Sequence, residues 1–252
     1  MTSPTMTALG LPDAMTGGLP VRGSRATVLD TLTPVDGLHI VDIGCGDGTW
    51  TRFLTEAGAH VTGIDPNPRQ LDKARATPLV GAERYISAGA EALPLEDRCQ
   101  DVALFFNSLH HVPVDIMTPA LMEAARVTRP GGRIVAFEPV ARGANYTLNR
   151  PIDDEFEVRA RAHQSLHAAA DDPDTPLTLE QEFEYITVGT KRDFEAWREY
   201  MVRISPVRAV TFEANEADLR AHFDRVLADL PRDEEGAALL DQPMRATVLR
   251  RT

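Results

Sequence analysis

Long apolar runs are missing from this 252-residue chain. Nowhere do about 18 apolar residues stand together, the length that a membrane-spanning helix needs, so no membrane span is expected. Cysteine is nearly absent. Cys45 and Cys99 are too few for a disulfide framework or a four-cysteine zinc site, and they fit a reduced, cytoplasmic setting. A basic stripe is missing as well. The 26 Lys and Arg are scattered among 38 Asp and Glu, for a net charge of −12, so nothing is offered that would replace the counterions of a nucleic acid. The start, "MTSPTMTALGLPDAMTGG", lacks the basic residues and compact apolar stretch of a secretory signal. Rich in Thr, Pro and Gly, residues 1–20 are expected to form a flexible tail. No metal-ligand spacing stands out, and the scattered histidines are expected on surfaces and loops, so no metal is expected. What is present is an ordinary globular composition, 43% hydrophobic and 25% charged, on a chain long enough to bury one α/β core.

From His39 onward, apolar runs of four to six residues alternate with amphipathic stretches. "HIVDI", "HVTGI", "ERYIS", "DVALFF" and "GRIVAFE" (Gly132 to Glu138) are expected strands, and "RPGG" before the last is an expected turn. Helices are expected over Thr49 to Ala57, after Asp65 or Asn67 with Pro68 in the first turn, and over about Asp115 to Val127. Such alternation implies βαβ units and a mostly parallel sheet covered on both faces. After Glu138 a mostly helical insertion is expected over about residues 140–180. A strand at Phe183 to Val188, helices near 192–202 and 216–230, and a closing strand at Met244 to Arg251 follow. With no internal repeat and no evident second core, residues 21–252 are expected to form a single domain with a partial cap.

The segment "VDIGCGDGTW" ends the first strand and opens the first helix, where ligands bind in doubly wound folds. Gly44 permits a tight turn and Gly46 lets backbone approach a ligand. Asp65 stands 21 residues after Gly44, at the end of the second strand, where a carboxylate accepts hydrogen bonds from ribose hydroxyls. The dinucleotide pattern G-x-G-x-x-G is broken by Thr49; G-x-G-x-G stands in its place, preceded by Asp42. A simpler account makes the glycines a close-packing device and both acids turn formers.

Five segments in order carry a resemblance: "VDIGCGDGT", "GIDPNP", "GAEALPLED", "NSLHHV" and "RPGGRIVAFEP". Together, over Val41 to Pro139, they resemble the class I S-adenosylmethionine-dependent methyltransferases, nearest the small-molecule branch that includes ubiquinone and menaquinone C-methyltransferases. The resemblance implies a Rossmann-like, seven-stranded methyltransferase sheet with helices on both faces and a helical insertion after the fifth strand. It implies S-adenosylmethionine as cofactor. Gly44 and Gly46 then face its methionine part, Asp42 anchors the loop or reaches the ammonium, Asp65 holds the ribose, and Asn107 contacts the methionine backbone. Many relatives have an Asp before the "AEALP" segment for the adenine amino group. Here Gly89 stands there, which leaves the Ala90 backbone and Glu91 as substitutes.

A sulfonium methyl is already activated, so an in-line nucleophile held at about 3 Å gains mostly from placement and desolvation. A base matters only where the acceptor must lose a proton. His110 and His111 after the fourth strand and Glu138 after the fifth are the catalytic candidates; the plainer account has the histidines packing locally and Glu138 bonding loop amides. In the insertion, "NYTLNRPIDDEFEVRAR" offers Tyr146 and Arg150 as acceptor contacts, the Arg as a clamp for carboxylate or phosphate. Its remaining charges fit a helix cap and i,i+4 pairs. The expected activity is methyl transfer to a small polar metabolite, with no nucleic acid or membrane partner. Two alternatives stand beside it: a same-fold enzyme that cyclises the cofactor and releases methylthioadenosine, and a non-catalytic S-adenosylmethionine-binding module. These motifs specify neither the acceptor atom (O, N, S or C) nor an oligomeric state.

Overall fold

A computed structural model describes Leu11 and residues 13–252. Of the expected tail, residues 1–10 and 12 lie outside the described residues, and a helical turn α1 (Asp13–Thr16) follows. The described residues divide into two compact units, one of residues 28–139, 158–183 and 245–252, the other of residues 11, 13–27, 140–157 and 184–244. The sequence reading expects one domain with an insertion.

The first unit carries the alternating pattern. After α2 (Ser24–Leu32) come β1 (His39–Ile43), α3 (Thr49–Glu56), β2 (His60–Asp65), α4 (Pro68–Ala76) and β3 (Arg84–Ser87). β4 (Gln100–Phe106), α5 (Met117–Val127) and β5 (Thr128–Pro139) complete the series. The short apolar runs become strands buried on both faces: four of five residues are buried in β1 and six of seven in β4. β1 pairs in parallel with β2 and β4, β2 with β3, and β4 with β5. The core joins Val41, Ile43, Ile64, Phe105, Leu121 and Ile134 with Ala162 and Leu166 of α7 (Phe156–Asp171). α4 begins as expected from its cap: the Asn67 side chain accepts from the Arg69 amide at 3.0 Å, ahead of Pro68.

The "RPGG" turn lies inside β5 rather than before it. Gln100 pairs with Thr128 but Val102 with Arg133, so the extra residues bulge and Gly131 takes a φ of +78°. The last two strands are also longer than their apolar runs. β6 (Leu177–Lys191) is an edge strand whose Glu180, Glu182 and Glu184 interrupt the apolar signal. β7 (Ala238–Arg251) is buried almost throughout, yet Asp241 and Pro243 hide its beginning in the sequence. Among the described residues the sheet runs β3-β2-β1-β4-β5-β7-β6, with the seven strands expected.

The second unit has its own core. It contains α6 (Ala144–Asn149), α8 (Phe194–Ile204), α9 (Arg208–Ala214) and α10 (Glu216–Leu227). Phe194, Trp197 and Met201, spaced to share one helix face, are buried with Phe212 and Phe223 in a cluster of ring pairs 5.0–5.9 Å apart. The seven-residue α9 is absent from the sequence reading. Among the described residues no helix is long and apolar enough to cross a membrane.

Candidate functional site

The order of strands turns back between β1 and β4, because β2 and β3 lie on one side of β1 while β4 and β5 lie on the other. Ligands of open α/β sheets bind at such a switch point, beyond the carboxyl ends of the strands. A cleft of about 630 Å³ opens there, lined by residues following β1, β2 and β4. Its volume is that of small-molecule and cofactor sites.

The loop after β1 is one wall. Gly44 has a φ of +76°, and a Cβ on it would stand 2.5 Å from the Cβ of Ser108, so β1 and β4 can end this close together only with a bare residue here. Gly46 differs. Its φ is +55°, but a Cβ would meet nothing within 4 Å, and the residue faces the cleft. The space that a side chain would take is left to a ligand.

Asp65, at the end of β2, ties this loop to the next. Its Oδ2 accepts from the Gly46 amide at 2.8 Å and its Oδ1 from the Asn67 amide at 2.8 Å. An ionised carboxylate has about four acceptor positions, so two remain, and Asp65 lines the cleft. Asp42 sits behind the loop, 1% exposed, and accepts from the Thr51 hydroxyl of α3 at 2.7 Å. Burial raises its pKa to about 6 against the lowering effect of the Thr51 hydrogen bond, with the nearby Asp65 charge raising it further. Burial, with Asp42 and Asp65 nearby, pushes the Cys45 thiol far up as well, which leaves it an inert filler.

Ala88, Gly89, Ala90 and Glu91 form another wall. The Glu91 carboxylate folds back over Gly89, with Oε1 only 2.4 Å from where a Cβ on that glycine would be. A carboxylate therefore occupies the place of the side chain that position 89 lacks. The segment is held from α5: Arg126 donates to the carbonyls of Leu93 and Leu95, each at 2.9 Å, and Glu123 accepts from the Leu93 amide at 3.0 Å.

The end of β4 closes the cleft with Asn107, Ser108 and His111. Asn107 takes a φ of +51°, which Asn tolerates better than most residues, and its amide donates to the Phe137 carbonyl at 2.9 Å. The Ser108 hydroxyl donates to the Ile43 carbonyl at 2.6 Å, joining β4 to β1. His110 and Glu138 are buried together, 4% and 7% exposed, with Nδ1 hydrogen-bonded to Oε2. Glu138 Oε1 also accepts from the amides of Ser108, at 3.1 Å, and Leu109, at 2.9 Å.

Among the sequence candidates, then, Gly44, Gly46, Asp65, Ala90, Glu91, Asn107 and His111 share one cleft. Asp42, His110 and Glu138 stand behind its walls. Tyr146 and Arg150 belong to the other unit, where both bind Asp154: the Tyr146 hydroxyl donates to Oδ1 at 2.7 Å and Arg150 Nε to Oδ2 at 3.0 Å. Arg150, left over from the charge pairs in the sequence reading, has this i,i+4 partner. Ser108 and Gln70 also line the cleft and Arg126 holds its wall, and the sequence reading singles out none of the three. Ser108 lies within a motif already quoted and Gln70 in the first turn after the Asn67 cap, but nothing local marks Arg126.

Residues 40–132 match the family model described as a methyltransferase domain. The malonyl-[acyl-carrier protein] O-methyltransferase of Pectobacterium atrosepticum is 36% identical over 129 residues, 51% of this chain and 49% of that protein. The chain thus spans about half the length of the curated relatives that it matches. Among solved structures, the YcgJ protein of Bacillus subtilis superposes with a TM-score of 0.60 at 17% identity, over 91% of this chain and 98% of the other. The [4+2]-cyclase SpnF superposes with a TM-score of 0.56 at 20% identity, over 90% and 80%. These last two likenesses are of fold.

Proposed function

Because residues 40–132 match a methyltransferase domain, we propose that the chain is a class I S-adenosylmethionine-dependent methyltransferase, that its cleft binds S-adenosylmethionine and that the protein transfers the methyl group to a small polar acceptor. The observation that carries this is the pairing of a bare Gly46 with two carboxylates, Asp65 and Glu91, around one cleft at the switch point. When bound, the cofactor supplies a methyl group on positive sulfur. Asp65 offers its two remaining acceptor positions to the ribose hydroxyls. Glu91 and the Ala90 backbone recognise the adenine amino group in place of the absent side chain at Gly89. Gly44, Gly46 and Asn107 bound the methionine end, with Asp42 anchoring their loop from behind. His111, exposed in the cleft wall, is the residue best placed to orient an acceptor or take its proton. His110 and Glu138 hold the loop that carries it, and Tyr146 and Arg150 are the insertion's candidates for acceptor contacts.

A second reading of the acceptor comes from the named relatives, which act on a carrier-bound acid: O-methylation of a carboxylate presented on an acyl-carrier protein. One experiment addresses both. Purified protein is incubated with S-adenosylmethionine alone, with a small-metabolite extract, and with malonylated acyl-carrier protein. S-adenosylhomocysteine is expected only in the presence of an acceptor, and the arm in which it forms names the acceptor class. Methylthioadenosine from the cofactor alone would instead establish cyclisation, and tight binding with neither product would favour a non-catalytic module.

A further inference from the structure

A different cluster lies at the other edge of the sheet, where α7 covers β6. His163 and His167 are one helical turn apart on α7, so their imidazoles project from the same face. Their rings stand 4.6 Å apart, centre to centre. Glu182 of β6 meets both: its Oε2 is 3.2 Å from His163 Nε2 and 2.9 Å from His167 Nε2. The three ligand atoms all lie within 4.8 Å of one another. The Thr247 hydroxyl of β7 donates to the same carboxylate at 2.8 Å and so fixes its orientation.

These separations have a chemical meaning. Tetrahedral zinc with ligand bonds of about 2.0–2.1 Å requires about 3.3 Å between ligand atoms. Both histidine–carboxylate edges are close to that length, so a small rotation of each side chain completes the set. Two histidines at i,i+4 with one carboxylate are a borderline-metal donor set, unsuited to Mg²⁺ or Ca²⁺. The side chains are a quarter to a third exposed, so an ion can enter and water can fill the remaining position. Thr247 supplies the outer hydrogen bond that ligating carboxylates characteristically receive.

We propose that His163, His167 and Glu182 form a binding site for a single Zn²⁺ ion, separate from the cofactor cleft, which staples α7 to the edge strand β6. The site is independent of the acceptor and of any methyl transfer. The test uses untagged full-length protein and ZnCl₂, with binding followed by calorimetry and thermal unfolding. One Zn²⁺ per chain is expected, with a rise in the unfolding temperature. His163→Ala and His167→Ala should each weaken binding by well over tenfold, and Thr247→Val, which removes no ligand, by about tenfold. Circular dichroism checks that each variant keeps its fold. Co²⁺ gives a second measurement on the unaltered protein: visible bands of four-coordinate Co²⁺ are expected, and Glu182→Gln should remove them. Absence of Zn²⁺ binding, or equal affinity in the wild type and both histidine variants, overturns the proposal.

Discussion

Glu138 and His110 are hydrogen-bonded to each other in the interior, and the same Glu138 carboxylate receives two consecutive backbone amides, those of Ser108 and Leu109. This one side chain therefore fixes the turn that presents Asn107 and His111 to the cleft. Removing it takes one shared acceptor away from two buried amides and weakens the hold on the imidazole. Glu138→Ala is expected to lose about 1–3 kcal/mol of stability for each buried amide left without this acceptor, read by denaturant unfolding. Glu138→Gln, which keeps one carbonyl acceptor, should lose about 1–3 kcal/mol. If Glu138→Gln were instead as stable as the wild type but orders of magnitude slower at saturating substrate, Glu138 would act in the chemistry and not in holding the turn.

Asp42 gives a pH signature. Its folded pKa of about 6 lies above the ordinary 3.8, chiefly through burial. Between those values the folded chain holds a proton that the unfolded chain has released, so this group's contribution to stability falls as pH rises from 3.8 to about 6. Above pH 6 the full penalty remains, about 3 kcal/mol for two pKa units. Asp42→Asn is therefore expected to unfold at higher denaturant than the wild type at pH 7, and to show a flatter stability profile across that window. An unchanged profile would mean that Asp42 titrates normally in the folded protein.

The two cleft glycines should respond differently to the same substitution. Gly44→Ala sets a Cβ 2.5 Å from Ser108 Cβ in a left-handed backbone, so it should destabilise the fold severely. Gly46→Ala meets no neighbour and carries only the backbone strain, about 1–2 kcal/mol. Its main effect should be on binding: calorimetry with S-adenosylmethionine should show at least a tenfold loss. Full affinity in a folded Gly46→Ala protein would remove this face of the loop from the cofactor site.

Glu91 can be tested by relocation. Glu91→Ala should weaken S-adenosylmethionine about tenfold, the value of one hydrogen bond. Gly89→Asp in the same background puts a carboxylate back into the space that Glu91 vacates, and should recover much of the loss. Failure of the double variant to bind better than Glu91→Ala would separate the position from adenine recognition.

Arg150 is exposed and held by Asp154 four residues on. Arg150→Ala is expected to leave the unfolding midpoint nearly unchanged, because an exposed ion pair contributes little. A raised acceptor KM with kcat unchanged would support an acceptor contact; an unchanged KM leaves only the local ion pair.

Much of this protein is written locally. Short apolar runs, the Asn67–Pro68 start of α4, the three glycines after β1 and Asp65 at the end of β2 each depend on neighbours within a few residues, which sequence displays directly. The i,i+4 spacings of Arg150 with Asp154 and of His163 with His167 are equally legible, though their meaning was not. What tertiary structure decided was which distant groups meet. Glu138 reaches back 28 residues to His110, Arg126 reaches 33 to Leu93, and Glu182 is brought to two histidines by the packing of α7 on an edge strand. The Glu-rich start of edge strand β6 and the polar start of β7 escaped local reading because their partners, and not their own apolar runs, make those parts strands. Hydrogen bonds between residues far apart in sequence leave no periodicity behind, and it is these that turn a recognisable glycine loop into a cleft with defined walls.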